Sequence, residues 1–193
     1  MPETSLTLLN RLQSQPDPES WQRLVDVYGP LIARWLSRSP LQNADHDDLT
    51  QEVLKVVVRK LPEFQRRREG SFRAWLRVVT VNCLRKFWRS SKHQSVATGD
   101  SDFLQKLHEL EDPHSALAKF WDAEHDRHVV RRLLELMGPQ FEPTTLLAFR
   151  KVVLEGQQPA KAAAELGISV NAVFLAKSKI LRQLRRETND LLS

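Results

Sequence analysis

The chain has 193 residues, and its 29 Lys and Arg against 24 Asp and Glu give a formal net charge of +5. This length and charge favour one or two compact domains and a polyanionic partner. A single cysteine, Cys83, excludes an internal disulfide, and the chain has neither an apolar run of membrane-spanning length nor a secretory pattern at its start, so we expect a cytoplasmic protein without membrane insertion.

Two apolar stripes at helical period open the chain. Residues 20–37 form the first stripe, and Pro30 inside it predicts a kink or a break. Residues 45–61 form the second, which starts with acidic residues and ends at Pro62. We therefore expect two amphipathic helices before residue 65.

Residues 71–92 predict one long helix that begins at Ser71 and contains no acid. Its aromatic and basic residues alternate, which suits binding of single-stranded or melted nucleic acid, since cations follow the backbone and rings stack on bases. The apolar positions recur at helical spacing, so Trp75 and Phe87 are more simply explained as core. The basic residues are Arg73, Arg77, Arg85, Lys86, Arg89 and Lys92.

Residues 93–113 are polar and acidic, with at most a short helix over residues 103–110. We predict a flexible acidic linker there. Its acids could partly screen basic DNA-binding faces, and the alternative is a passive tether. These acids are Asp100, Asp102, Glu109, Glu111 and Asp112.

The second half predicts helices over residues 114–136 and 144–155, and then a helix-turn-helix over residues 159–186. Its first helix would span residues 159–166, Gly167 would supply the turn, and Ser169 would cap the second helix. The second helix buries Val173, Ala176, Ile180 and Leu184. It points Asn171, Phe174, Leu175, Ser178, Lys179 and Arg182 outward, which suits the major groove of DNA.

Helical period throughout predicts an all-α fold of two small domains. The expected divisions are residues 1–92, a linker at 93–113, and residues 114–193, the last ending in the helix-turn-helix.

Enzymatic patterns are weak in this sequence. The cluster of Asp45, His46, Asp47 and Asp48 offers metal-ligand types, but acids at a helix start are favoured by the helix dipole alone. His125 and His128 lie one turn apart and are expected to be exposed helix residues. No phosphate-binding glycine loop or nucleophile motif occurs. We expect no enzyme activity, no metal and no cofactor.

Three ordered blocks, residues 45–64, 70–89 and the terminal helix-turn-helix, resemble the extracytoplasmic-function sigma factors, a class of the sigma-70 family of bacterial transcription initiation factors. The resemblance implies a protein that binds RNA polymerase core, through its β′ and β subunits, and directs it to promoter DNA. An anti-sigma factor or another restraining regulator is a further partner that such a protein can have.

The resemblance also implies roles for particular residues. The candidates for contact with the β′ coiled coil are Asp48, Leu49, Gln51, Glu52 and Leu54. The candidates for the melted minus-ten element are Arg66, Arg68, Ser71, Arg77, Asn82, Arg85 and Arg89. The six outward residues of the last helix are the candidates for the minus-thirty-five element.

Two departures from the family pattern stand out. Phe174, Leu175 and Ala176 replace the usual basic or polar residues early in the last helix, and they can at best contact thymine methyl groups. Lys86 stands where relatives often have an acid.

Two other functions are alternatives to a sigma factor. One is a free-standing helix-turn-helix regulator that binds duplex operator DNA as a dimer, and the other is an adaptor whose basic faces bind acidic proteins.

Overall fold

The computed structural model describes residues 8–65, 71–91 and 100–188. Within these ranges every regular element is a helix, which confirms the all-α prediction. Across the same residues, no helix is both long enough and apolar enough to cross a membrane. The chain divides into two compact units, the first reaching to Val129 and the second starting at Val130.

The first unit is built from six helices of the described ranges. Their bounds are α1 (Leu8–Ser14), α2 (Pro18–Leu36), α3 (Asn43–Lys60), α4 (Ser71–Ser91), α5 (Asp100–Glu111) and the first part of α6 (Ala116–Met137). A short 3-10 turn, Leu61–Glu63, follows α3 and contains the proline that was expected to end it. The core lies among α2, α3 and α4, where Leu24, Val53 and Leu76 are fully buried.

Helix α2 shows how local signals and packing combine. Asp17 caps it by accepting a hydrogen bond from the Ser20 backbone N–H at 2.8 Å, and Pro18 occupies the first turn. Pro30 was expected to cause a kink or a break, and α2 runs through it to Leu36 without a break. Leu31, directly after the proline, is fully buried. Tertiary packing thus stabilises the second half of a helix that local propensity disfavours.

The segment predicted as a linker contains helix α5, which belongs to the first unit. Phe103, Leu107 and Leu110 are buried, and the Phe103 ring lies 4.3 Å from the Trp88 ring of α4. The linker prediction is therefore corrected for residues 100–111, while residues 92–99 lie outside the described ranges. The polar composition concealed a three-residue apolar stripe at helical spacing.

The boundary between the units also differs from the expected one. Residues 116–129 of α6 pack within the first unit, where Trp121 stacks on Trp35 of α2 with ring centroids 4.5 Å apart. His125 and His128, expected on the surface, are 0% and 8% exposed. His128 Nε2 lies 2.7 Å from the Val27 carbonyl oxygen of α2. The sequence of α6 does not reveal its partner, because the contacting residues are 86 to 101 positions away along the chain.

The second unit contains the end of α6 and three further helices. These are α7 (Pro143–Phe149), which continues as a wider π-type turn over Arg150–Leu154, then α8 (Pro159–Leu166) and α9 (Val170–Thr188). The single helix expected over residues 144–155 is thus in two parts. A small core of Ala148, Ala163, Val173 and Ala176 joins α7, α8 and α9.

Candidate polymerase and nucleic-acid interface

A groove with a volume of about 640 Å³ lies between α3 and α4. Exposed side chains of α3 form one wall, and Asn82 and Lys86 of α4 lie on the other, with Cys83 between them. Burial raises the pKa of the Cys83 thiol. The polar α3 residues of the groove are Asp48, Gln51, Glu52, Lys55, Arg59 and Lys60.

The polymerase candidates divide into two sets. Asp48, Gln51 and Glu52 are exposed, and their spacing of three and four places them on one face of α3. Leu49 and Leu54 are 2% and 5% exposed. Their proposed role in binding is corrected, because they pack inside the first unit. A Cβ on Gly29 of α2 would lie 4.0 Å from Leu54 Cδ1, an ordinary packing distance.

The charge of the groove changes from negative to positive along α3. Asp48 and Glu52 lie toward the start of the helix, and Lys55 and Arg59 follow on the same exposed face. Sequence reasoning did not select these two cations, although a helical-wheel continuation from Gln51 and Glu52 would have found them. A partner that fits this groove needs a matching change of sign.

Asn82 of the minus-ten candidates is exposed and lines the same groove. The prediction from the sequence placed the polymerase candidates and the minus-ten candidates in two separate sites. The structure brings Asn82 onto the groove that contains Asp48 and Glu52. Of the other minus-ten candidates, Arg89 is exposed and Ser71 is half-buried, while Arg66 and Arg68 lie outside the described residues.

Arg77 is not available to a partner in this structure. Its side chain is 2% exposed, and its guanidinium donates to Asp122 Oδ1 at 2.8 Å and to the Ala118 carbonyl oxygen at 3.1 Å. Both acceptors belong to α6. The assignment of Arg77 as a DNA contact is therefore corrected for this arrangement of the chain. The acceptors could not be identified from the sequence, since they lie more than 40 residues away.

Two further arginines of α4 are also paired. Arg73 reaches Asp126 Oδ2 of α6 at 2.7 Å, and Arg85 reaches Glu111 Oε1 at the end of α5 at 2.5 Å. The hydrogen bond from Arg85 lowers the pKa of Glu111, and the hydrogen bond to Glu111 raises the pKa of Arg85. These pairs hold acids from residues 100–129 against the basic helix.

A second, smaller cavity of about 460 Å³ lies where α3 ends and α4 begins. Phe64, Ser71 and Trp75 line it, and the Phe64 and Trp75 rings are 5.2 Å apart. Phe72 is 1% exposed and is core, whereas Trp75 and Phe87 are half-buried. The core interpretation of these two rings thus holds for only part of each side chain.

In the second unit, α8 spans residues 159–166 as expected, and α9 (Val170–Thr188) runs two residues beyond the expected end at Arg186. Gly167, with φ 65°, joins them in the left-handed region, and Ser169 Oγ accepts a hydrogen bond from the Ala172 backbone N–H at 3.1 Å. Val173, Ala176, Ile180 and Leu184 are buried. All six minus-thirty-five candidates are exposed.

The exposed face of α9 is unusually apolar at its start. Phe174 and Leu175 are 52% and 61% exposed. Lys179 follows one turn later, with its ammonium 5.8 Å from the centre of the Phe141 ring. Along α9, the exposed surface is therefore apolar near the start of the helix and positively charged one turn later.

Comparison with known proteins gives one family match. Residues 24–94 match the family model Sigma-70 region 2, and the match covers α2, α3 and α4 with the groove between α3 and α4. The similarity of this segment to Sigma-70 region 2 supports a sigma-70 family member. No curated protein matches the chain.

Proposed function

We propose that the protein is a sigma factor of the extracytoplasmic-function type, which binds RNA polymerase core in the cytoplasm and directs it to promoters. The observation that carries this proposal is the Sigma-70 region 2 match over residues 24–94. The groove lies inside that segment, and its exposed acids are the polymerase candidates.

The proposal assigns different partners to the two units. Asp48, Gln51 and Glu52 contact the β′ coiled coil. The loop with Arg66 and Arg68, together with Ser71, Asn82, Arg85 and Arg89, binds the melted minus-ten element. In the second unit, α9 enters the major groove of the minus-thirty-five element, where Phe174 and Leu175 contact thymine methyl groups and Lys179 and Arg182 meet phosphates. An anti-sigma factor that covers the groove would restrain the protein.

A free-standing dimeric regulator is the alternative. It would need duplex DNA but not polymerase, and the region 2 match favours the sigma factor over it. Size-exclusion chromatography with and without polymerase core distinguishes the two functions. A dimeric regulator elutes as a dimer and does not bind the core, whereas a sigma factor elutes together with it.

The polymerase assignment predicts the behaviour of the double variant Asp48→Lys with Glu52→Lys. Both side chains are exposed, so the fold should persist, while like charges across an interface should weaken core binding at least about tenfold. Fluorescence titration of labelled protein with core measures the affinity.

The matched control is Glu19→Lys with Glu109→Lys, which makes the same charge change at exposed positions outside the groove. Equal core affinity for the groove variant and this control would refute the assignment of the interface. Failure of the natural protein to bind core or to initiate run-off transcripts on genomic fragments would refute the proposed function itself.

A further inference from the structure

Acidic residues of α6 form a row that faces basic residues of two other helices. Asp122 and Asp126 lie one turn apart on α6, and they pair with Arg73 and Arg77, which lie one turn apart on α4. Arg73 Nε is also 3.8 Å from Asp122 Oδ2. Over one helical turn, each of these two acids of α6 thus pairs with an arginine of α4.

Glu124, between these acids, faces α2 instead. Its carboxylate receives two hydrogen bonds from Arg38, at 2.5 and 2.7 Å, and lies 3.9 Å from Arg34. The hydrogen bond from Arg38 lowers the pKa of Glu124. In these pairs the acid comes from α6 and the arginine from other parts of the first unit.

The composition of this contact is that of a docking interface more than that of a domain core. Its anchors are the Trp35–Trp121 stack and the stack of His125 on Tyr28, at 5.7 Å, surrounded by arginine–carboxylate pairs. Arg77 Nε is buried without a hydrogen-bond partner among the described residues. A buried donor without a partner makes this contact less stable than a fully hydrogen-bonded one would be.

Carboxylate and phosphate bind a guanidinium group with the same fork geometry. The acids on α6, and Glu111 on α5, therefore pair with guanidinium groups of α4 that are equally suited to phosphate. Arg85 and Glu111 are 20% and 35% exposed, so a competing phosphate can reach this pair without prior unfolding.

We propose that residues 100–129 act as an internal acidic cover of α4, which occupies Arg73, Arg77 and Arg85 in the free protein and is displaced when nucleic acid binds. This rests on the proposed function, because that function makes α4 a nucleic-acid-binding helix. The cover reduces the affinity of the polymerase-free protein for DNA.

The test uses the full chain, a short fluorescein-labelled single-stranded DNA of mixed sequence, and fluorescence anisotropy over a range of salt concentrations. Glu111→Gln frees Arg85, so we expect affinity to rise about fivefold at about 0.1 M salt, and the slope of log K against log salt to steepen by about 0.7. Asp122→Asn with Asp126→Asn frees two arginines and should steepen the slope by about 1.4.

Glu109→Gln is the matched control for Glu111→Gln. It lies on the same helix and makes the same charge change, but its carboxylate accepts only from Gln105, at 3.2 Å, among the contacts that the structure describes. We expect an unchanged slope for this variant. Since the Arg85–Glu111 pair is partly exposed, its loss should leave the fold intact even if the double variant on α6 fails to fold.

Equal affinity gains for Glu111→Gln and Glu109→Gln would overturn the proposal, because the effect would then be general electrostatics. An unchanged affinity in Glu111→Gln would also overturn it. The same DNA is then titrated into the complex with polymerase core. If the DNA does not bind the complex with core, this counts against the proposed function. If it binds the complex but Glu111→Gln does not raise the DNA affinity of the polymerase-free protein, this counts against the acidic cover alone.

Discussion

Arg77 lies inside the first unit with its guanidinium bound to Asp122 and to the carbonyl oxygen of Ala118. Burial of a charge costs several kcal/mol, which a partner of opposite charge offsets only with good geometry. An arginine on a basic helix thus has two distinct uses, as a surface cation or as a buried ion-pair member. Residue type does not distinguish them, but the position of Asp122 in the fold does.

His125 is the residue whose titration should be visible in stability. Its side chain is fully buried, with Nδ1 3.0 Å from Asp126 Oδ1 and with Arg73 and Asp122 as the other nearby charges. Burial lowers the pKa of His125 below 6.5, although the hydrogen bond to Asp126 opposes this. Neutral His125 therefore donates its Nδ1–H to the carboxylate.

The sign of the pH dependence follows from this shift. Below its unfolded pKa of 6.5, the unfolded chain takes up a proton that folded His125 does not. The stabilisation is therefore fully present above that pH and is lost as pH falls through the lower pKa of the folded state, with a slope of at most about 1.4 kcal/mol per pH unit.

We predict that His125→Asn removes this part of the pH dependence while keeping an N–H donor for Asp126. Urea unfolding between about pH 7.5 and 5 measures the free energy of unfolding. The control is His114→Asn, which changes an exposed histidine. If the two variants show the same slope below pH 6.5, His125 is not the titrating group.

At the scale of elements, the junction of α8 and α9 depends on one backbone conformation. Gly167 has φ 65°, and an added Cβ would meet no atom within 4 Å. We predict that Gly167→Ala lowers the free energy of unfolding by about 1 kcal/mol, purely through backbone strain. Gly167→Asn should cost less, because Asn tolerates the left-handed region.

Urea unfolding of the natural chain and of both variants tests this prediction, since the order of stability should be Gly, then Asn, then Ala. An alanine variant as stable as the natural chain would contradict it. Ala164→Gly is the control on exposed α8 surface, where glycine should destabilise the helix by a comparable amount for the opposite reason.

Helix α6 has a different character from α9. The apolar stripe of α9 packs on neighbours next to it in the chain, so its buried face was predictable. Helix α6 packs on α2 through Trp121 and Glu124, and on α4 through Asp122. Polar residues of α6 therefore pack against other helices as its apolar residues do. Hydrophobic periodicity identifies only the apolar face of a helix, so it did not predict these polar contacts.

At the scale of the whole molecule, the structure predicts which fragments fold. A fragment of residues 1–129 keeps α6 on Trp35 and Tyr28 and should unfold cooperatively in urea. A fragment of residues 1–92 exposes Trp35 and leaves Arg77 without its α6 acceptors, so we expect it to fold with a lower free energy of unfolding.

A fragment of residues 1–113 separates the two contributions, since it retains α5 but lacks α6. We expect it to resemble residues 1–92 in the exposure of Trp35, as measured by tryptophan fluorescence. Equal stability of residues 1–92 and 1–129 would show that α6 is not part of the first unit.

The sequence by itself indicated α2, α3, α4, α8 and α9, whereas α1 was not predicted and the residues of α5 were assigned to a linker. Pro62, Ser71, Pro159 and Gly167 set helix ends through backbone chemistry that acts within one turn, and the stripe from Val173 to Leu184 follows from helical period. The exposed candidates on α3 and α9 were predictable for the same reason.

Only the tertiary structure decided which charged residues remain available to a partner. Leu49, Leu54 and Arg77 are buried, and Arg73 and Arg85 are paired, through contacts with residues 26 to 53 positions away or with the core. Such contacts depend on how helices meet in space, and no local pattern encodes them. The sequence therefore specified the basic helix, whereas the fold decided which of its arginines are covered.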